Sequence, residues 1–156
     1  MLKSKIPFQN IGSIPQLIKD FLNLEIPQFS SYQFSLQNAL SKAEEKSKSF
    51  SQDQRNILVE VFNRQLNSLQ LTDKQKKNIN LLSQENTFTV VTGHQLNLFS
   101  GPAFFVYKIL QTIKTAEFLS QNSDKNFVPV FWMATEDHDF EEINHFKTSQ
   151  NFYQIK

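Results

Sequence analysis

The chain has no cysteine among its 156 residues. A disulfide scaffold, a thiolate-ligated metal and a cysteine nucleophile are thereby excluded within it, and the composition fits a reducing compartment. Net charge is equally scarce: sixteen Lys and Arg against fifteen Asp and Glu leave +1. Without a basic excess there is no electrostatic footprint for nucleic acid or an anionic membrane. No apolar run approaches the length of about eighteen residues that a bilayer crossing needs. The basic start, Met1-Leu-Lys-Ser-Lys5, has no apolar segment behind it, so no secretory signal is read and the expected location is the cytoplasm. Glycine is the last scarcity. Average usage gives roughly eleven; there are three, and two of them, Gly93 and Gly101, share one short stretch.

Against these absences stand sixteen Phe. Disorder goes with few aromatics and high net charge, so this chain is expected to fold. Its length suits about one domain and permits a sizeable core.

The first half reads as helix. Ile14 to Leu22 is a short amphipathic run, and Tyr32 to Lys48 carries Phe34, Leu36, Leu40 and Ala43 after the break at Pro27. Ser51 with Gln54, and Thr72 with Gln75, form two S/T-x-x-Q capping boxes. They open helices to about Leu69 and through Leu82, the first with Ile57, Leu58, Val61, Phe62 and Leu66 at helical spacing. The run Lys74-Gln-Lys-Lys77 is read as a solvated face.

Composition changes near Glu85-Asn86. Thr87-Phe-Thr-Val-Val-Thr92, bounded by Gly93, reads as a short buried strand. Pro102 suits a first helical position, and Phe105, Ile109, Ile113 and Ala116 give the helix from there to about Ser120 its apolar stripe. Phe127 to Ala134 is a second apolar strand, with Pro129 an awkward member. Strand, helix and strand, both strands apolar throughout, predict a βαβ unit with a parallel pair. A third strand is expected to start near Phe152. The predicted organisation is a helical N-terminal region, residues 1–85, followed by residues 86–156 as the opening of an α/β domain. Two strands are few for a parallel sheet, and no closing helix follows, so the chain is expected to be the front of a longer protein.

Ligands of open α/β sheets bind beyond the carboxyl ends of the strands. Two loops lie there: Thr92-Gly-His-Gln-Leu-Asn-Leu-Phe-Ser-Gly-Pro102 and Thr135-Glu-Asp-His-Asp-Phe-Glu-Glu-Ile-Asn-His145. They hold all three histidines and five of the fifteen acids. The first loop leads into a helix N-terminus, which favours an anion, and Lys108 two turns on is within reach of a phosphate or carboxylate. Neither the Walker A pattern nor G-x-G-x-x-G is present. The plain alternative is a helix capped by Ser100-Gly-Pro with His94 on the surface.

The second loop groups Glu136, Asp137, His138, Asp139, Glu141, Glu142 and His145 with no cation among them. Such a group suits acid–base work, the gripping of ribose or amine groups, or a divalent cation. Glu142-Ile-Asn-His145 matches the E-x-x-H of di-iron bundles, but no second copy exists, and no metal is predicted. A helix start would account for Asp139, Glu141 and Glu142 alone.

Val91-Thr-Gly-His-Gln-Leu-Asn-Leu-Phe-Ser-Gly-Pro-Ala-Phe-Phe-Val-Tyr-Lys-Ile109 closely resembles the signature of BshC, the cysteine-adding enzyme family of bacillithiol biosynthesis. Val128-Pro-Val-Phe-Trp-Met-Ala-Thr-Glu-Asp-His-Asp-Phe-Glu-Glu-Ile-Asn-His145 resembles the family's next block. The resemblance implies a Rossmann-like core of the class I synthetase and nucleotidyltransferase type, begun here and incomplete. It implies a ligase that adds cysteine to glucosaminyl malate, with cysteine activated by ATP or another nucleotide. Carried across, Asp137, His138 and Asp139 are the candidate catalytic residues. Thr92, Gly93, His94, Gln95, Ser100, Gly101, Pro102, Lys108 and Glu136 are the candidates for holding substrate or nucleotide. The family pattern often has Gln where this chain has His94, so an imidazole there is not required. The family is several-fold longer and has a later coiled coil, a route to a homodimer; this stretch alone is expected to be inactive. Two rivals stay open: a nucleotide-binding module without catalysis, and a metal-dependent hydrolase using His138, Asp139 and His145.

Overall fold

A computed structural model describes residues 4–95, 97, 101–136 and 139–155, apart from the side chain of Glu142. The chain forms two compact units, Met1–Glu45 and Lys46–Lys156.

The first unit is helical. A short 3-10 turn, Phe8–Asn10, precedes α1, Gln16–Leu22, and a second one spans Pro27–Tyr32. Helix α2, Leu36–Ser47, starts four residues later than the hydrophobic pattern suggests. Ser35 sets that start: its Oγ accepts the N–H of Asn38 at 3.1 Å, as an N-cap does. The Asn38 side chain then donates to the carbonyls of Ser30 and Gln33, which ties the preceding turn to the helix.

In the second unit both capping boxes form. Ser51 and Gln54 open α3, Gln52–Leu66; Thr72 and Gln75 open α4, Asp73–Leu81, each side chain bonding the other residue's backbone N–H. The end of α3 falls short of Leu69, whose N–H instead closes a three-residue turn onto the Leu66 carbonyl. Arg55 of α3 is 5% exposed. Its guanidinium donates to the carbonyls of Thr87 at 2.9 Å, Glu85 at 3.1 Å and Leu82 at 3.3 Å. Those three carbonyls are the turn that leads from α4 into the sheet, so one side chain from α3 fixes where the first strand begins.

Strand β1, Thr87–Gln95, helix α5, Ala103–Gln121, and strand β2, Asn126–Ala134, make the expected βαβ unit. The strands are parallel in a register running from Thr87↔Asn126 to Gln95↔Ala134. Helix α5 packs on both strands, and the buried core of this unit includes Ile79 and Leu82 from α4 and its end, Ala116 and Leu119 from α5, and Val128 from β2. Pro129 fits because of strand alternation. Asn126 N–H points to the Asn86 carbonyl on the β1 side, and Phe127 N–H points to Ser120 Oγ on the other. With a period of two, the nitrogen of Pro129 shares the side of Phe127, and β1 loses no ladder bond.

Three details depart from the sequence reading. Gly93 does not end β1; the strand continues through His94 and Gln95. Pro102 is the residue before α5 rather than its first, with extended φ −70° and ψ 153°. The strand at Phe152–Gln154, β4, pairs antiparallel with β3, His145–Lys147, after the single turn α6, Phe140–Ile143; among the described residues it does not join β1 and β2. The hairpin closes by side-chain contact, with Phe146 stacked on Tyr153. Among the described residues no helix is long and apolar enough to cross a membrane.

Candidate functional site

The parallel register ends both strands at the same level, Gln95 opposite Ala134, so the loops that follow them begin side by side. Gly93 lies opposite Trp132, where a Cβ would stand 3.0 Å from both the Cβ and the carbonyl oxygen of the tryptophan. Glycine is needed there for close approach, not for a turn. The Gly93 carbonyl accepts from Lys108 Nζ at 2.5 Å. The half-buried ammonium is thus held at the end of β1, with two further N–H groups beyond that bond.

His94 is half-buried between two rings of α5. It stacks on Phe104 with centroids 5.2 Å apart and meets the edge of Phe105 at 5.5 Å. Its Nδ1 lies 3.0 Å from the Gln95 carbonyl. Asn97 donates to that same carbonyl at 3.1 Å. Gly101 adopts φ +61°, and a Cβ on it would stand 2.6 Å from Asn97 Cβ. Left-handed backbone and missing side chain are both required at this position.

Among the described residues helix α5 has no side-chain cap, unlike α3 and α4. Beside its first turns lies an open cleft of about 450 Å³, lined by Val90, Thr92, Phe104, Tyr107, Lys108 and Gln111. A second cavity, about 270 Å³, lies between α4, α5 and β2 and also reaches Thr92.

After β2, Glu136 is exposed. The Asp139 carboxylate accepts the N–H of Glu141 at 3.0 Å and so caps α6. His145 sits at the start of β3, its Nδ1 3.1 Å from the Glu141 carbonyl and 3.1 Å from Asn144 Oδ1. Ser100, Asp137 and His138 lie outside the described residues. No group of three or more His, Cys, Asp or Glu able to hold a metal exists among the described residues.

The structure therefore brings Thr92, Gly93, His94, Gln95, Gly101 and Lys108 together at the end of β1. Sequence reasoning missed two residues. Asn97 stood in the quoted motif with no role; its spacing of four from Gly101 was the available signal. Arg55 carries no role in the sequence reading, since nothing in its neighbours marks it as buried.

Residues 1–156 match the family model described as bacillithiol biosynthesis BshC, N-terminal Rossmann-like domain. The chain belongs to the BshC family. A Flavobacterium psychrophilum protein is 46% identical over 145 residues, 90% of this chain and 27% of that protein. A Flavobacterium johnsoniae protein is 46% identical over 144 residues, again 90% and 27%. One from Natranaerobius thermophilus is 37% identical over 131 residues, 84% and 23%. All three bear the name cysteine ligase BshC as a provisional assignment. This BshC domain spans about a quarter of the length of the curated relatives it matches. The parallel βαβ unit agrees with its Rossmann-like description.

Proposed function

We propose that this domain supplies part of the substrate site of a cytoplasmic ligase that adds cysteine to glucosaminyl malate. The observation that carries the reading is the common level of the two loop origins, Gln95 and Ala134, at the carboxyl edge of a parallel pair. On one side stand His94 and the Lys108 ammonium; on the other begins the run Glu136 to Asp139. Peptide-bond formation by a sugar amine needs an acceptor for the amine proton and an electropositive place for the acyl oxygens. Asp137, His138 and Asp139 are assigned to the amine, as proton acceptors or as its grip. Thr92, Gly93, His94, Gln95, Ser100, Gly101, Pro102, Lys108 and Glu136 are assigned to the acyl or nucleotide side.

The uncapped start of α5 and the Lys108 ammonium suit an anionic group such as a nucleotide phosphate. ATP or another nucleotide bound there would supply the leaving group for the cysteine carboxylate. Gly101 and Lys108 would hold it, the first by backbone approach and the second by charge. A homodimer through a coiled coil elsewhere in the full-length protein belongs to the same reading.

The test uses the full-length enzyme with cysteine and glucosaminyl malate, following bacillithiol by thiol labelling. Asp137→Asn, His138→Ala and Asp139→Asn are compared with Lys76→Ala on the exposed face of α4. Loss of a positioned proton acceptor lowers kcat by about 10²–10⁴-fold, and loss of a grip on the amine raises KM as well. Activity within about threefold of the control in all three variants, well below that range, makes the loop structural and removes the assignment.

A further inference from the structure

We propose that Asn97, seated against Gly101, is a positioning residue for His94, and that His94 Nε2 is the acceptor for an N–H or O–H donor of the substrate. A carbonyl oxygen can only accept, so the 3.0 Å contact from His94 Nδ1 to the Gln95 carbonyl requires a hydrogen on Nδ1. In the neutral ring the lone pair then sits on Nε2. The opposite tautomer would have Nδ1 accept from Asn97 Nδ2, which lies at 3.4 Å. That contact is long for a hydrogen bond, and it would leave two lone pairs facing each other at 3.0 Å.

The Gln95 carbonyl is itself held. Asn97 donates to its other lone pair at 3.1 Å, which fixes the peptide plane that His94 reads. Asn97 in turn occupies the space that any side chain at Gly101 would fill. Phe104 and Phe105 fix the plane of the imidazole. The chain Gly101, Asn97, Gln95 carbonyl, His94 accounts for the acceptor that Nδ1 meets, and among the described residues Nε2 has no hydrogen-bond partner. A ring whose orientation and tautomer are held by its neighbours, with its free lone pair at the carboxyl edge of the sheet, is prepared to accept a hydrogen bond. On the ligase reading above, on which the donor's identity rests, that donor is the amine of the sugar or of cysteine.

The experiment is nitrogen NMR of the full-length protein labelled with ¹⁵N-histidine, beside kinetics of the same preparations. Wild-type His94 is expected to show a protonated Nδ1 and an unprotonated Nε2. Asn97→Ala, which removes the amide beside Nδ1 and its bond to the Gln95 carbonyl, and Gly101→Ala, which displaces Asn97, are expected to give a mixture of tautomers. A merely structural role for Asn97 would not move that signature. In the bacillithiol assay Asn97→Ala is expected to lower kcat by about tenfold or more, within the loss that misplacing a reacting group can bring. A wild-type His94 protonated on Nε2, or variants whose His94 signature stays at the wild-type position, overturns the proposal. Failure of the wild type to make bacillithiol removes the ligase reading instead, and the tautomer measurement still decides the role of Asn97.

Discussion

Gly93 and Trp132 face each other across the parallel pair so closely that a methyl group at Gly93 would touch both the Cβ and the carbonyl of the tryptophan. The end of β1 therefore has the shape it has because one side chain is missing. Gly93→Val is expected to push β2 outward at Trp132 and to cost about 1–3 kcal/mol, the usual range for overpacking. Chemical denaturation measures the loss, and a shift in the emission of Trp132, the one tryptophan in these residues, locates it.

Arg55 gives the second prediction. Its three hydrogen bonds to buried or half-buried carbonyls have no substitute donor if the guanidinium is removed. Arg55→Leu is expected to destabilise by at least about 2 kcal/mol, since unsatisfied groups cost about 1–3 kcal/mol each. Arg55→Lys should recover only part, because one ammonium lacks the fork that spans three oxygens. Equal denaturation midpoints for wild type and Arg55→Leu would show that the turn holds without it.

The third concerns Pro129. Because its nitrogen faces away from β1, Pro129→Val should leave stability within about 0.5 kcal/mol, the scale of neutral surface changes. Val130→Pro, one residue on, removes an N–H that points at β1 and is expected to cost about 3 kcal/mol or more. Urea midpoints for the pair of variants test the alternation directly; similar losses in both would contradict it.

The fourth concerns these 156 residues in isolation. Trp132 is 59% exposed, Phe104 53% and Tyr107 71%, and Val91 and Met133 are open as well. Each large apolar side chain left in water forgoes about 1.5–3 kcal/mol of burial. The isolated chain is expected to bind a hydrophobic dye and to melt broadly. A sharp transition and a monomer that takes up no dye would count against this.

Local chemistry was the legible part of the fold. The two capping boxes read directly because serine or threonine with a glutamine three residues on satisfies backbone donors without help from afar. The βαβ unit read from two apolar runs around one amphipathic helix. What stayed hidden depends on partners distant in sequence. Gly93 looked like a turn because its reason for being glycine is Trp132, thirty-nine positions away. Arg55 gave no sign because its acceptors are backbone carbonyls, which carry no residue identity. In the site, Thr92, Gly93, His94, Gln95, Gly101 and Lys108 were found as a group, but the geometry of Lys108 on a carbonyl and of Asn97 on His94's neighbour needed coordinates.

The placement of Pro129 has a consequence for association between chains. A strand that approached the outer edge of β2 from another molecule would find no donor at its middle, and one of its carbonyls would stay unmatched. Stray pairing on that side is penalised by a single residue. The outer edge of β1 carries no proline in Thr87–Gln95, but the carbonyls of Thr87, Gly93 and Gln95 on that side are already taken by Arg55, Lys108 and Asn97. Unwanted strand addition, in a chain caught before the rest of its fold has formed, would therefore find only the middle of β1, around the 59% exposed Val91, open to it.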